Sequence, residues 1–147
     1  MRLSTKGRYG LRAVVDLAVH GSDAAVSISS IASRQGLSEG YLEQLIAKLK
    51  KAGIVTSIRG TNGGYRLARD VKEITVGDVL RALEGNLNVV QCPDDQSCDK
   101  YDSCVTKYVW KRINDSINEV VDTMTLEEVI RNGCHYSDGS VIQGMEC

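Results

Sequence analysis

A chain of 147 residues, 42% hydrophobic and 25% charged, has the makeup of a globular domain with an appendage and excludes a fibrous repeat or a disordered tail. Lacking Phe and with only 5% aromatic residues, its core must come from Leu, Ile, Val and Ala, a supply suited to helices packed on thin sheets. The net charge of −1 hides a split: residues 1–72 hold 12 Lys and Arg against 5 Asp and Glu, whereas residues 73–147 hold 6 against 14, the asymmetry of a protein whose first half meets a polyanion.

The first helix is expected from Thr5 to His20, where Leu11, Val14, Val15, Ala18 and Val19 recur at helical spacing and Gly21 stops the pattern. Behind Arg2, Lys6 and Arg8 there is no apolar leader, and no run of about eighteen apolar residues follows, so the protein is expected to be unexported, off the membrane and cytoplasmic. Val26 to Ile28 is extended, and Ser27 caps a second helix ending at Gly36. Ser38 caps a third, whose stripe of Leu42, Leu45, Ile46 and Leu49 runs to Gly53.

Two helices joined by Gln35-Gly36-Leu37 form a helix-turn-helix. Short alternating segments, Ile54 to Ile58 and Tyr65 to Leu67, then flank Arg59-Gly60-Thr61-Asn62-Gly63-Gly64, where the Asn-Gly pair is expected to supply the positive φ angles of a hairpin turn. The fold class is therefore mainly α with a small β-hairpin wing, a winged helix-turn-helix. Thr75, with Asp78 three residues on, caps a fourth helix closed by Gly85.

Four units follow from this order: a DNA-binding domain over 1–85, a polar cysteine-bearing loop over 86–103, a dimerisation helix region over 104–131 and a flexible tail over 132–147. Val109, Trp110, Ile113, Ile117, Val120, Val121 and Met124 repeat every three to four positions, a stripe most simply buried against its twin in a homodimer.

The partner expected for the basic half is double-stranded DNA. Side chains at the start of the recognition helix reach base edges, which selects Ser38, Glu39, Gly40, Tyr41, Glu43 and Gln44. Gln44 can pair with adenine. Glu43 either accepts from cytosine and penalises other sequences, or is an exposed charge paired with Lys50 or another nearby basic residue. Arg2, Lys6, Lys48, Lys50 and Lys51 are candidate phosphate contacts. Arg59, beside Gly60 at the wing tip, is placed to enter a minor groove.

The five cysteines are Cys92, Cys98, Cys104, Cys134 and Cys147, an odd count that argues against a disulfide framework. Cys92, Cys98 and Cys104 are evenly spaced in a polar loop with no core to hide thiols, and the spacing is not that of a zinc ribbon. Soft thiolates on an adaptable loop favour an iron-sulfur cluster, with zinc, thiol redox sensing and no ligand role as the alternatives. No Ser/His/Asp or paired-carboxylate arrangement suggests an enzyme.

Met1-Arg2-Leu3-Ser4-Thr5-Lys6-Gly7-Arg8-Tyr9, Gly40-Tyr41-Leu42-Glu43-Gln44-Leu45, Arg59-Gly60-Thr61-Asn62-Gly63-Gly64-Tyr65 and Cys92, Cys98, Cys104 with Trp110 together resemble the iron-sulfur cluster regulators of the Rrf-type winged-helix family, over about residues 1–130. The resemblance implies a dimeric bacterial transcription factor that holds a 2Fe-2S cluster on the three loop cysteines and controls iron-sulfur biogenesis genes, with iron-sulfur assembly proteins as candidate partners. It also implies that Glu43 separates two classes of DNA site. The family's usual fourth ligand is a His three residues after the third Cys, and Lys107 stands there, a protonated donor without a lone pair at neutral pH. Cys134, His135 and Cys147 from the tail, or a carboxylate from either subunit, are the candidate substitutes. Relatives that sense nitric oxide or regulate cysteine metabolism share the fold.

Overall fold

Hydroxyl side chains start the first four helices. Ser4 accepts from the Lys6 N–H ahead of α1 (Thr5–His20), Ser27 from Ser30 ahead of α2 (Ile28–Gln35), and Ser38 from Tyr41 ahead of α3 (Glu39–Lys51). Ahead of α4 (Val76–Glu84) the expected capping box is complete: Thr75 accepts from Asp78 N–H, and the Asp78 carboxylate accepts from Thr75 N–H. These helices, with α5 (Lys107–Thr123), α6 (Leu126–Gly133) and the hairpin β1 (Val55–Ile58) and β2 (Gly64–Leu67), make up the computed structural model, which describes residues 3–92 and 98–133. Arg2, Pro93, Cys134, His135 and Cys147 lie outside the described residues.

The stripe of α3 enters the core as the periodicity predicts, whereas on α1 the buried apolar positions are Ala13, Val14, Val15 and Leu17, with Leu11, Ala18 and Val19 of the expected stripe only half-buried. Val14 and Leu17 of α1, Ile31 of α2, and Leu42, Leu45, Ile46 and Leu49 of α3 close one core, completed by Ile54, Val55, Ile74 and Val79. The two wing strands pair antiparallel, with Val55 opposite Leu67 and Ile58 opposite Gly64. Val26 bonds reciprocally with Tyr65, at 2.9 and 2.8 Å, and so ties the wing to the segment before α2.

The turn corrects the expectation for Asn62-Gly63. Positive φ falls at Gly60 and Gly64, and Gly63 instead donates its N–H to the Gly60 carbonyl at 3.0 Å. Gly64 is required by close approach as well, since a Cβ there would lie 2.6 Å from the carbonyl carbon of Val26.

After α4 the chain leaves the core and returns. Val76, Leu80 and Leu87 form a second apolar cluster with Ile117 and Val121 of α5 and with Met124 just after it. Arg81 reinforces it with hydrogen bonds to Asn118 at 2.6 Å and Asp122 at 2.5 and 3.0 Å. Met124 then turns extended, Thr125 bridges Thr75, and Leu126 N–H donates to Ile74 at 2.9 Å. Leu126 is 0% exposed inside the winged-helix core. The region expected as one unit over 104–131 is thus divided by packing: α5 stands on α4, and α6 joins α1.

Beside these packed residues on α5, Val109, Ile113 and Val120 are exposed. The apolar stripe is therefore shared, one edge on α4 and the other facing outward.

Candidate nucleic-acid interface and cysteine site

The α3 stripe that enters the core turns Glu39, Gly40, Glu43, Gln44 and Lys48 to the outside. Ser38 is also exposed, but its hydroxyl already accepts the Tyr41 N–H. Glu43 forms no ion pair among the described residues, because Lys50 points to the wing and donates to Ser57 Oγ at 2.9 Å. Of the two readings of Glu43, the pairing with Lys50 is not formed among the described residues, and the carboxylate lies exposed on the outer face.

Tyr41 departs from the expectation of an exposed base reader. Its ring is half-buried, edge-on to Tyr9 of α1 with centroids 6.4 Å apart, and its hydroxyl reaches Thr5 Oγ1 at 3.4 Å. Arg8 and Arg12 sit 5.8 and 5.6 Å from the Tyr9 ring. Tyr41 thereby anchors the recognition helix to α1 and sets the height at which Gln44 and Glu43 project.

Behind this contact lies a network that the sequence reading missed. Asp16, 3% exposed, accepts two hydrogen bonds from Arg34, at 2.9 and 2.7 Å, and one from Gln35 at 2.9 Å, and Gln35 in turn accepts from Arg12 at 3.0 Å. A carboxylate among Val14, Val15 and Leu17 on a core-facing turn was the available signal, since a buried acid needs a cation or several donors.

Arg59 and Gly60 are exposed at the tip of the wing, and no hydrogen bond or ion pair restrains Arg59 among the described residues. Lys6 is exposed on the first turn of α1. An Arg59→Ala protein is expected to bind duplex DNA about 1–3 kcal/mol more weakly, read in a gel-shift titration, with its melting temperature unchanged. An unaltered titration would remove Arg59 from the interface.

Beside α5, Cys92, Cys98 and Cys104 open on one cavity of about 590 Å³, walled by Tyr101, Trp110 and Asn114. The three are free thiols. Among the described residues no three His, Cys, Asp or Glu side chains stand close enough to hold a metal ion together, so a shared ligand would require the loop to close on it.

The donors nonetheless suit a cluster. Thr106 hydroxyl lies 3.3 Å from Cys104 Sγ and, with the Lys107 N–H and the Lys107 charge, holds the Cys104 thiol below its ordinary value. The start of α5 carries no acidic residue in its first turn and no side-chain cap, which leaves its positive end available to thiolates. Lys107 donates to the Tyr101 carbonyl at 2.7 Å with its ammonium 4.3 Å from the Tyr101 ring, a cation in use rather than a lone-pair ligand.

Three helices, a two-stranded wing and an outward recognition face define a winged helix-turn-helix DNA-binding protein. A family model for Rrf2, iron-dependent transcriptional regulator, matches residues 3–132. The HTH-type transcriptional regulator IscR of Pectobacterium atrosepticum is 39% identical over 132 residues, covering 90% of this chain and 80% of that protein. Among solved structures, T. potens IscR superposes with a TM-score of 0.76 at 47% identity, covering 93% of this chain and 91% of that one. CymR (YrzC), the global cysteine regulator of B. subtilis, superposes at 0.75 and 40% identity, covering 94% and 99%. The chain belongs to the Rrf2 family; it is a DNA-binding transcriptional regulator and not an enzyme.

Proposed function

We propose that this regulator senses iron-sulfur cluster status and, as a cytoplasmic homodimer, controls iron-sulfur biogenesis genes. The observation that carries the reading is the opening of Cys92, Cys98 and Cys104 on one cavity beside the uncapped start of α5. These residues would hold a 2Fe-2S cluster, which supplies iron–thiolate bonds whose survival depends on iron and oxidants. Ser38, Gly40, Glu43, Gln44, Arg59 and Gly60 would face the bases and grooves, with Arg2 and Lys6 on phosphates and Tyr41 holding the helix in place. The outward stripe of Val109, Ile113 and Val120 would be covered by a second copy.

The loop is physically tied to α4 and α5. Leu87 is buried against α4 and α5, and Val89 N–H donates to Asn114 of α5 at 2.9 Å. A loop closed on a ligand would therefore shift α5 against α4, and with it the spacing of two recognition helices that must meet half-sites about one turn apart.

The test is a titration of operator DNA with protein purified without oxygen and with the same protein after iron removal. Expected are visible charge-transfer bands in the first form and a different affinity or site preference between the two. A colourless, iron-free preparation binding every site as well as a reconstituted one would overturn cluster sensing and leave DNA binding standing. A second reading, a thiol- or cysteine-responsive regulator, is favoured by Lys107 in place of a ligand and by the likeness to CymR. It predicts affinity that follows thiol oxidation without iron.

A further inference from the structure

Glu84 ends α4, and Gly85 leads from it into the cysteine loop. Its Oε1 accepts from the N–H groups of Ser4 and Gly7, each at 2.9 Å, and from the Ser4 hydroxyl. The first turn of α1 has no acidic residue of its own, so a carboxylate from 80 residues away satisfies its open N–H groups. Gly7 makes the approach feasible: a Cβ there would lie 2.7 Å from Glu84 Oε1.

The surroundings make this carboxylate informative. Lys6, Lys48 and Lys51 of the basic half, with Arg81, line the same cleft as Ser4 and Glu84. An acid set in a surface that meets phosphates repels them unless its position does something else. Here every recorded bond of its Oε1 goes to the first turn that carries Lys6. The same bonds, led by the Ser4 hydroxyl, hold the Glu84 carboxyl below its ordinary value, so it stays ionised at neutral pH.

We infer that Glu84 is a positioning residue for DNA binding, clamping the first turn of α1 so that Lys6 stands at a fixed place against the phosphate backbone. The inference rests on the reading that Lys6 meets phosphate, and the experiment separates the two.

Full-length wild-type, Lys6→Ala, Glu84→Ala and Glu84→Gln proteins are titrated against a duplex selected by the wild type from a random pool, over a series of salt concentrations, with thermal melts alongside. Lys6→Ala is expected to lower the slope of log affinity against log salt by about one. Glu84→Ala should lower it by about the same amount and weaken binding roughly fivefold or more at low salt. Glu84→Gln, which keeps an acceptor oxygen for Ser4 and Gly7, should retain the wild-type slope. The Lys6→Ala, Glu84→Ala double variant should lose no more slope than either single.

A merely structural role would lower the melting temperature of Glu84→Ala without touching the slope, and that result overturns the inference. So does Glu84→Gln behaving as Glu84→Ala. If Lys6→Ala lowers the slope and Glu84→Ala does not, only the clamp is refuted; if neither does, the placement of Lys6 falls with it. Should Glu84→Ala not fold, Glu84→Asp, one methylene short of the N–H groups, is read by the same criteria.

Discussion

Cys104→Ala protein, purified without oxygen, is expected to be colourless beside a coloured wild type, while keeping its melting temperature and its DNA binding as apoprotein. Cys104 is the thiol best prepared for ligation, receiving the Thr106 hydroxyl and the Lys107 N–H at the positive start of α5. Loss of a hydrogen-bonding partner behind a metal ligand usually lowers affinity about 10–100-fold, and loss of the ligand itself goes further. Lys107, engaged by Tyr101, cannot take its place. Folding is unaffected because Cys104 lies outside both apolar clusters, on a segment without helix or strand. Retained visible absorption and iron in Cys104→Ala would show that the cluster is held without this thiol.

What could be read from the sequence was local. Ser27, Ser38 and Thr75 begin helices through bonds that span three residues, so hydroxyl and glycine punctuation located α2 to α4 without tertiary information, and apolar spacing ended by Gly21 located α1. The outward face of α3 was equally legible, because the spacing of Leu42, Leu45, Ile46 and Leu49 leaves Glu43 and Gln44 nowhere else to point. Tyr41 lies at the border of that stripe, where helical spacing is silent and only its partner Tyr9, on another helix, decides its burial.

The long-range contacts were illegible for the same reason. Glu84 reads as an ordinary last-turn charge until α4 is laid along α1, and Leu126 as the trailing end of a dimer helix until Thr125 pairs with Thr75. The evenly spaced cysteines identified a candidate site, but the wall that makes them face one cavity is supplied by α5, whose packing on α4 through Arg81 has no sequence motif.

Asp16→Ala is expected to destabilise the folded protein by about 3 kcal/mol, the low end of the range for breaking a buried ion pair. The low end applies because the two partners differ: the Asp16 side chain is 1% exposed, but Arg34 is 27% exposed and can recover part of its hydration. Gln35 cannot, since it is buried and its amide would lose the acceptor it now reaches at 2.9 Å. For a domain of this size the change corresponds to a melting temperature lower by roughly 6–12 °C. Asp16→Asn should lie between, keeping an oxygen for one donor but forfeiting the charge that pairs with Arg34 in two bonds. Because Arg12 reaches Gln35 and also flanks Tyr9, slack in this network should pass to Tyr41 and so to α3. DNA affinity in Asp16→Asn should therefore fall at temperatures where circular dichroism still reports a folded protein. A melting temperature within a degree or two of wild type for Asp16→Ala would mean that the network contributes nothing net, its desolvation having offset its bonds.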